Sequence, residues 1–173
     1  MAFYQRRLPH WDIVGERVFV TFRLHGSLPT SRVFPPATMT AGEIFVTLDR
    51  LLDRAGHGPT YLRRPEIAQM VVTSLREGER QFNRYDLHAF VVMPNHVHML
   101  VTPHMRMADW LRSLKGFTGR EVSRILSLRG TPFWQDESYD HLVRNDDEAA
   151  RIKHYIEWNP VKAGFVQTPE AFP

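Results

Sequence analysis

His96-Val97-His98, together with Tyr155 and Asn159, are the residues whose types and spacing can do chemistry. The two histidines sit in a run from Ala89 to Val101 that otherwise reads as strand. In a strand, positions i and i+2 point to one face, so both imidazoles project together. Neutral imidazole binds several divalent ions, and two such ligands leave coordination positions open for substrate oxygens. Tyr155 offers a nucleophilic hydroxyl. Asn159 lies four residues on, on the same helix face, and an amide oxygen suits a hard cation. A helix that ends there adds its C-terminal partial negative charge. The combination points to metal-assisted attack of a tyrosine on a phosphodiester. Each residue alone has a plainer reading. Paired strand histidines are often surface or hydrogen-bonded core residues, Tyr155 adjoins an apolar stripe, and asparagine before proline is a common turn residue. The apolar flanks Val91, Val92, Met99, Leu100 and Val101 favour ligation, because polar rings are costly there without partners.

Positioning these groups requires a hairpin and a helix, and the pattern supplies both. Arg17 to His25 is β-branched and aromatic, a good first strand. Tyr85–Met93 and His96–Val101 form two more, joined at Pro94-Asn95 as an antiparallel hairpin. Tyr139 to Arg144 resembles a fourth strand. Helical spacing of apolar residues runs over Gly42–Arg54 (Ile44, Leu48, Leu51, Leu52), Arg63–Glu79 (Ile67, Met70, Val71, Leu75) and Arg106–Leu128 (Trp110, Leu111, Leu114, Val122). Pro65 fits a first helical turn, whereas Gly116 and Gly119 weaken or bend the third helix. For the last helix, Asn145 is the N-cap, Glu148 completes a capping-box pair, and Asp146 and Asp147 favour the dipole. Ala149, Ile152 and Ile156 make its stripe, and Pro160 predicts a stop at Asn159. Residues 1–16 read as irregular, and Pro29, Pro35 and Pro36 as loop. The fold class expected is α+β: a central antiparallel sheet of four to five strands with helices on its faces.

With 173 residues, 43% of them hydrophobic, the chain suits a single domain with a real core. It has no cysteine, which excludes disulfides and thiolate metal sites. No run of about 18 apolar residues suggests a membrane span, and the first residues lack a signal peptide's apolar centre. Net charge is +3. Arg6 and Arg7 come as a pair, and Arg112, Lys115 and Arg120 lie along one segment. That distribution fits phosphate tracking and a solvated surface equally well.

Met93-Pro94-Asn95-His96-Val97-His98 resembles the histidine–hydrophobe–histidine motif of HUH nucleases. Tyr155-Ile156-Glu157-Trp158-Asn159-Pro160-Val161-Lys162-Ala163-Gly164 resembles the tyrosine-helix signature of single-tyrosine transposases, in the form carried by the REP-associated branch. Phe133-Trp134-Gln135 and Tyr139-Asp140-His141-Leu142-Val143-Arg144 resemble the segment that precedes that helix. The resemblance implies a ferredoxin/RRM-like HUH fold over 1–173, with an N-terminal arm (1–16) and a C-terminal extension (160–173). It implies an enzyme that cuts and rejoins single-stranded DNA beside hairpins. His96 and His98 would be metal ligands and Tyr155 the nucleophile. Asn159 would stand where relatives in the wider group use glutamine, around Mg²⁺ or Mn²⁺. Arg6 and Arg7 would read a guide sequence, and Arg112, Lys115, Arg120 and Lys162 would contact DNA.

The implied chemistry is transesterification through a 5′-phosphotyrosine link, with Tyr155 needing activation from its ordinary pKa near 10. The base is not legible. Trp134 and Trp158 could stack on bases, although a core role is favoured for both. A monomer is favoured over a homodimer, in bacterial cytoplasm at the nucleoid. Rival readings are a domesticated hairpin-binding protein without cleavage and a metal-dependent phosphodiesterase that uses water. Replication initiation or conjugative relaxation by the same chemistry is disfavoured, because no second nucleophilic tyrosine or helicase region is present.

Overall fold

The computed structural model describes the chain apart from residues 1, 6–8, 29–40, 55, 129 and 173. The Pro29–Pro36 loop, Arg6 and Arg7 fall outside the described residues. Elements follow in the order β1 (Ala2–Gln5), β2 (Pro9–Asp12), β3 (Val18–Arg23), α1 (Ala41–Asp53), α2 (Pro65–Arg80), β4 (Tyr85–Val92), β5 (His96–Pro103), α3 (Met107–Leu126), β6 (Tyr139–Leu142) and α4 (Asp146–Lys162). Short 3₁₀ turns stand at Tyr61–Arg63 and Pro169–Ala171.

The main sheet is four-stranded and antiparallel, in the order β4-β5-β3-β6. Between β3 and β6 the chain runs strand, helix, strand, strand, helix, strand. This is the ferredoxin-like arrangement, with α1 added in the first crossover and α4 appended. Period-two alternation divides the sheet between two cores. Val18, Val20 and Phe22 of β3, with Val97, Met99 and Val101 of β5, face α2 and α3 through Ile67, Val71, Leu75, Trp110, Leu114 and Val122. Phe19 and Leu100 face the opposite way, toward Ala149 and Ile156 of α4 and Phe45 of α1.

Three expectations change. Residues 2–5 and 9–12 form a two-stranded antiparallel ribbon, with Ala2 opposite Asp12 and Gln5 opposite Pro9, rather than an irregular arm. Strands of four residues are too short to display a period, and Pro9 occupies a first-residue position that strands tolerate. Helix α3 runs unbroken through Gly116 and Gly119, where packing on the sheet outweighs their low propensity. Helix α4 passes Pro160 and ends at Lys162, because a proline in the last turn forfeits one bond while Ala163 N–H still reaches the Asn159 carbonyl at 2.9 Å.

Candidate active site

Strand β5 is central, held by β4 on one side and β3 on the other, with Thr21 opposite His98 and Arg23 opposite His96. Because Val97 and Met99 take the α2–α3 face, His96 and His98 take the α4 face. Both are fully buried. Their Nε2 atoms are 3.0 Å apart. Asn95 Nδ2 donates to the Leu52 carbonyl at 3.1 Å, which turns its Oδ1 to His96 Nδ1 at 2.7 Å. An amide oxygen only accepts, so Nδ1 carries the proton and Nε2 keeps its lone pair. Burial and the neighbouring His98 hold His96 well below its ordinary pKa, in the neutral ligand form. His98 is oriented by Thr21 Oγ1, 2.7 Å from its Nδ1. Such outer hydrogen bonds aim metal-binding imidazoles.

Helix α4 brings Tyr155 to the same place. Asn145 caps the helix by accepting from Glu148 N–H at 2.8 Å. The Glu148 carboxylate reaches back to the N–H of Arg144 at 2.7 Å rather than that of Asn145, and also takes the Arg144 guanidinium. The Tyr155 ring centroid lies 5.7 Å from that of His98, within an aromatic cage of Phe19 and Phe45. Its hydroxyl accepts from Asn159 Nδ2 at 3.1 Å and donates to Asp49 Oδ2. Asp49 Oδ1 stands 3.0 Å from His98 Nε2 and 3.9 Å from His96 Nε2. Asp53 Oδ1 is 4.0 Å from His96 Nε2. Lys162, one turn past Asn159, holds Nζ 3.7 Å from Asp49 Oδ2 and 5.0 Å above the Tyr155 ring.

Burial alone would raise the Asp49 carboxyl, but its contacts with His98 and the Tyr155 hydroxyl outweigh that and hold it at about 2. At Asp53 burial and the Asp49 charge outweigh the nearby Lys162 and push the carboxyl up to about 7. Burial, then the Asp49 charge, push the Tyr155 phenol up as well. Three buried oxygens in this cluster, Asp49 Oδ1, Asp53 Oδ1 and Asn159 Oδ1, accept no hydrogen bond. Each such atom costs about 1–3 kcal/mol unless something satisfies it. Ligand atoms of Asp49, His96 and His98 lie within 4.8 Å of one another. The His96 lone pair, the His98 ring and the Asp49 carboxylate, with the orphaned Asn159 amide oxygen near them, are a donor set that fits a divalent cation.

The family described as "Transposase IS200 like" matches residues 61–159, more than half the chain, and its match takes in the hairpin histidines, Tyr155 and Asn159. The chain belongs to the IS200-like transposases. A Haemophilus influenzae protein assigned by name to the REP-associated tyrosine transposases is 28% identical over 96 residues, 49% of this chain. This IS200-like chain spans about half, 54%, of that relative's length. A solved REP-associated tyrosine transposase bound to a REP hairpin shares the fold, with TM-score 0.59 and 21% identity over 100% of this chain and 81% of that one. A Deinococcus radiodurans protein described as a transposase aligns at TM-score 0.47 with 20% identity, covering 90% of this chain and 96% of its own, too distant to add to the argument.

The four site residues read from the sequence of this IS200-like transposase, His96, His98, Tyr155 and Asn159, thus converge, and Lys162 joins them. Arg112, Lys115 and Arg120 do not. They lie on α3, against the other face of the sheet, along a cleft of about 730 Å³ shared with residues 131–138. Lys115 is tied into the fold there: its ammonium donates to the Gln135 and Asp136 carbonyls at 3.0 Å each, and burial lowers it to about 8. Trp134 is a core residue, its Nε1–H on Thr118 Oγ1 at 2.8 Å, whereas Trp158 is 44% exposed beside His154. Among the described residues no helix is long and apolar enough to cross a membrane. Sequence reasoning missed Asp49 and Asp53. Their signal is position: Phe45, Asp49, Leu52 and Asp53 fall on one helix face, so carboxylates interrupt a stripe that should be apolar.

Proposed function

We propose that this chain is a REP-associated tyrosine transposase that cleaves and rejoins single-stranded DNA beside hairpins, with Tyr155 as nucleophile. The observation that carries the reading is that Tyr155, Asn159, His96 and His98 meet around one space within a single chain. One copy therefore suffices, and a monomer is the simplest working form.

A divalent Mg²⁺ or Mn²⁺ held by His96, His98 and Asn159 would supply positive charge to the oxygens of the scissile phosphate. Tyr155 does the covalent work. Its oxygen attacks phosphorus in line, the bond to the 3′-oxygen breaks, and a 5′-phosphotyrosine link and a free 3′-hydroxyl result. The phenol proton, hydrogen-bonded to Asp49 Oδ2 before attack, ends on the departing 3′-oxygen. Asn159 Nδ2 donates to the same phenol oxygen, which aims it and favours its anionic form. No water enters, so the reverse attack by a 3′-hydroxyl rejoins DNA. Lys162 sits where it can meet the phosphate beside Tyr155. Arg112 and Arg120 contribute charge for flanking DNA, and Arg6 and Arg7 are proposed to read bases next to the hairpin. Support for the hairpin comes from the solved relative, whose bound DNA is a REP hairpin.

The test is incubation with single-stranded hairpin DNA and Mn²⁺, followed by denaturing gels and mass analysis. Wild type should give a DNA adduct on the Tyr155 peptide. Tyr155→Phe should bind DNA but give no adduct, and His96→Ala should lose metal-dependent cleavage. Undiminished adduct from Tyr155→Phe removes the nucleophile. Hydrolysed product from that variant would favour a water-using phosphodiesterase.

A further inference from the structure

Asp49 belongs to α1, outside the residues that match the family. Its side chain is 2% exposed and its two oxygens face different groups. Oδ2 takes the Tyr155 hydroxyl. Oδ1 lies 3.0 Å from His98 Nε2 and accepts no hydrogen bond. The geometry points to Asp49 as an anionic ligand of the metal and the group that fixes Tyr155 relative to it, which makes α1 a catalytic element of the site. The inference rests on the tyrosine reading above and adds a ligand to it.

Three observations carry it. First, His96 Nε2 presents a lone pair, because Asn95 claims the proton at Nδ1. That lone pair faces His98 Nε2 at 3.0 Å and the Asp49 carboxylate at 3.9 Å. A buried lone pair and a buried carboxylate that converge this closely form two sides of a cation site. Second, Asn159 Oδ1, fully buried in the same cluster, is also without a donor. Third, α1 is anchored on both sides of Asp49. Phe45 packs edge-on against Phe19 at 5.2 Å, and the Leu52 carbonyl is held by Asn95. The same asparagine thus sets the His96 tautomer and ties α1 to the hairpin.

The ligand also bears on which metal is chosen. Two imidazoles and an amide are neutral, a set that favours borderline ions such as Ni²⁺. A carboxylate shifts preference toward hard oxygen-seeking cations, Mg²⁺ and Mn²⁺. Asp49 is therefore also a determinant of metal selectivity.

The experiment uses the full chain without DNA. Mn²⁺ binding is read from loss of the free-ion electron paramagnetic resonance signal, and Ni²⁺ binding by calorimetry. Asp49→Asn should weaken Mn²⁺ binding at least tenfold and Ni²⁺ binding clearly less. Thermal unfolding without metal serves as the folding control: the variant should still unfold in one cooperative transition. Mn²⁺ affinity within twofold of wild type overturns the proposal. If that unchanged affinity comes with faster adduct formation, Asp49 is instead a plug standing in the place of the phosphate. Asp49-dependent Mn²⁺ binding in a wild type that forms no adduct would sink the transesterification reading and leave this one standing.

Discussion

Asn95→Ala is the perturbation that most directly tests how the site is held. Asn95 is fully buried between the hairpin turn and α1. Truncation removes the 2.7 Å contact to His96 Nδ1 and the 3.1 Å bond to the Leu52 carbonyl. Two buried polar groups lose their partners, at about 1–3 kcal/mol each, so the middle of the range is about 4 kcal/mol. At roughly 3 °C per kcal/mol for a domain of this size, the melting temperature should fall by about 12 °C. His96 also loses the group that fixes its tautomer, which should weaken metal binding about 10–100-fold. Asn95→Asp separates the two effects. A carboxylate still accepts from His96 Nδ1, so Mn²⁺ affinity should recover. It also faces the Leu52 carbonyl, oxygen against oxygen, so stability should not. The assays are thermal unfolding by near-ultraviolet circular dichroism and Mn²⁺ titration. An Asn95→Ala protein that melts within about 2 °C of wild type and binds Mn²⁺ equally well would refute the argument.

Two further outcomes follow from groups away from the metal. The Arg144 hydrogen bond holds the Glu148 carboxyl at about 2, below its ordinary 4.5. A depressed carboxyl contributes stability that is fully present above the unfolded pKa and is lost as pH falls through the folded one. Urea unfolding should therefore show the gap between wild type and Glu148→Gln closing from about pH 5 down to about pH 2, and a gap independent of pH would remove Glu148 from the account. Gly78 lies where α2 meets β4, and a Cβ there would stand 2.2 Å from the Tyr85 hydroxyl oxygen. Gly78→Ala should cost about 1–3 kcal/mol through overpacking and loss of the 2.8 Å bond from Tyr85 to the Leu75 carbonyl. Adding Tyr85→Phe should then cost less than Tyr85→Phe alone; strict additivity of the two changes would contradict the clash.

The hairpin and the last helix were legible because local chemistry specifies them. Pro94-Asn95 can only interrupt a ladder, so the strands either side had to form a hairpin, and Asn145 with three following acids could only begin a helix. Their meeting was carried by motif resemblance, since spacing along a chain says nothing about which face of a sheet α4 covers. Asp49 was illegible for a related reason. A carboxylate in a helix reads as surface until the face beneath it is known, and Leu48 and Leu51 made the register of that face ambiguous. The terminal ribbon escaped because backbone pairing between two four-residue strands leaves no periodic trace. The basic residues of α3 fitted a phosphate track and a solvated surface equally well in sequence, yet Lys115 turns inward to two carbonyls. Helical periodicity locates a side chain's direction only after the helix has a neighbour.

The placement of the histidines on β5 rather than β4 has a physical reason. A one-residue slip in pairing moves every side chain of a strand to the other face. On an edge strand such a slip is opposed by one neighbour, and β4 does shift register between Leu87 and Ala89. On β5 it is opposed by two, and the ladder with β3 runs unbroken from Val18–Val101 to Arg23–His96. A slip would drive both imidazoles into the packing of Trp110 and Leu114 and expose Val97 and Met99 to Asp49. The Thr21–His98 contact works only in the native register, because Thr21 stands directly opposite. Side chains that must converge to within about half an ångström need a scaffold stiffer than a loop or an edge. The central strand provides that stiffness, and α1 and α4 then need only dock onto a histidine pair whose position the sheet has already decided.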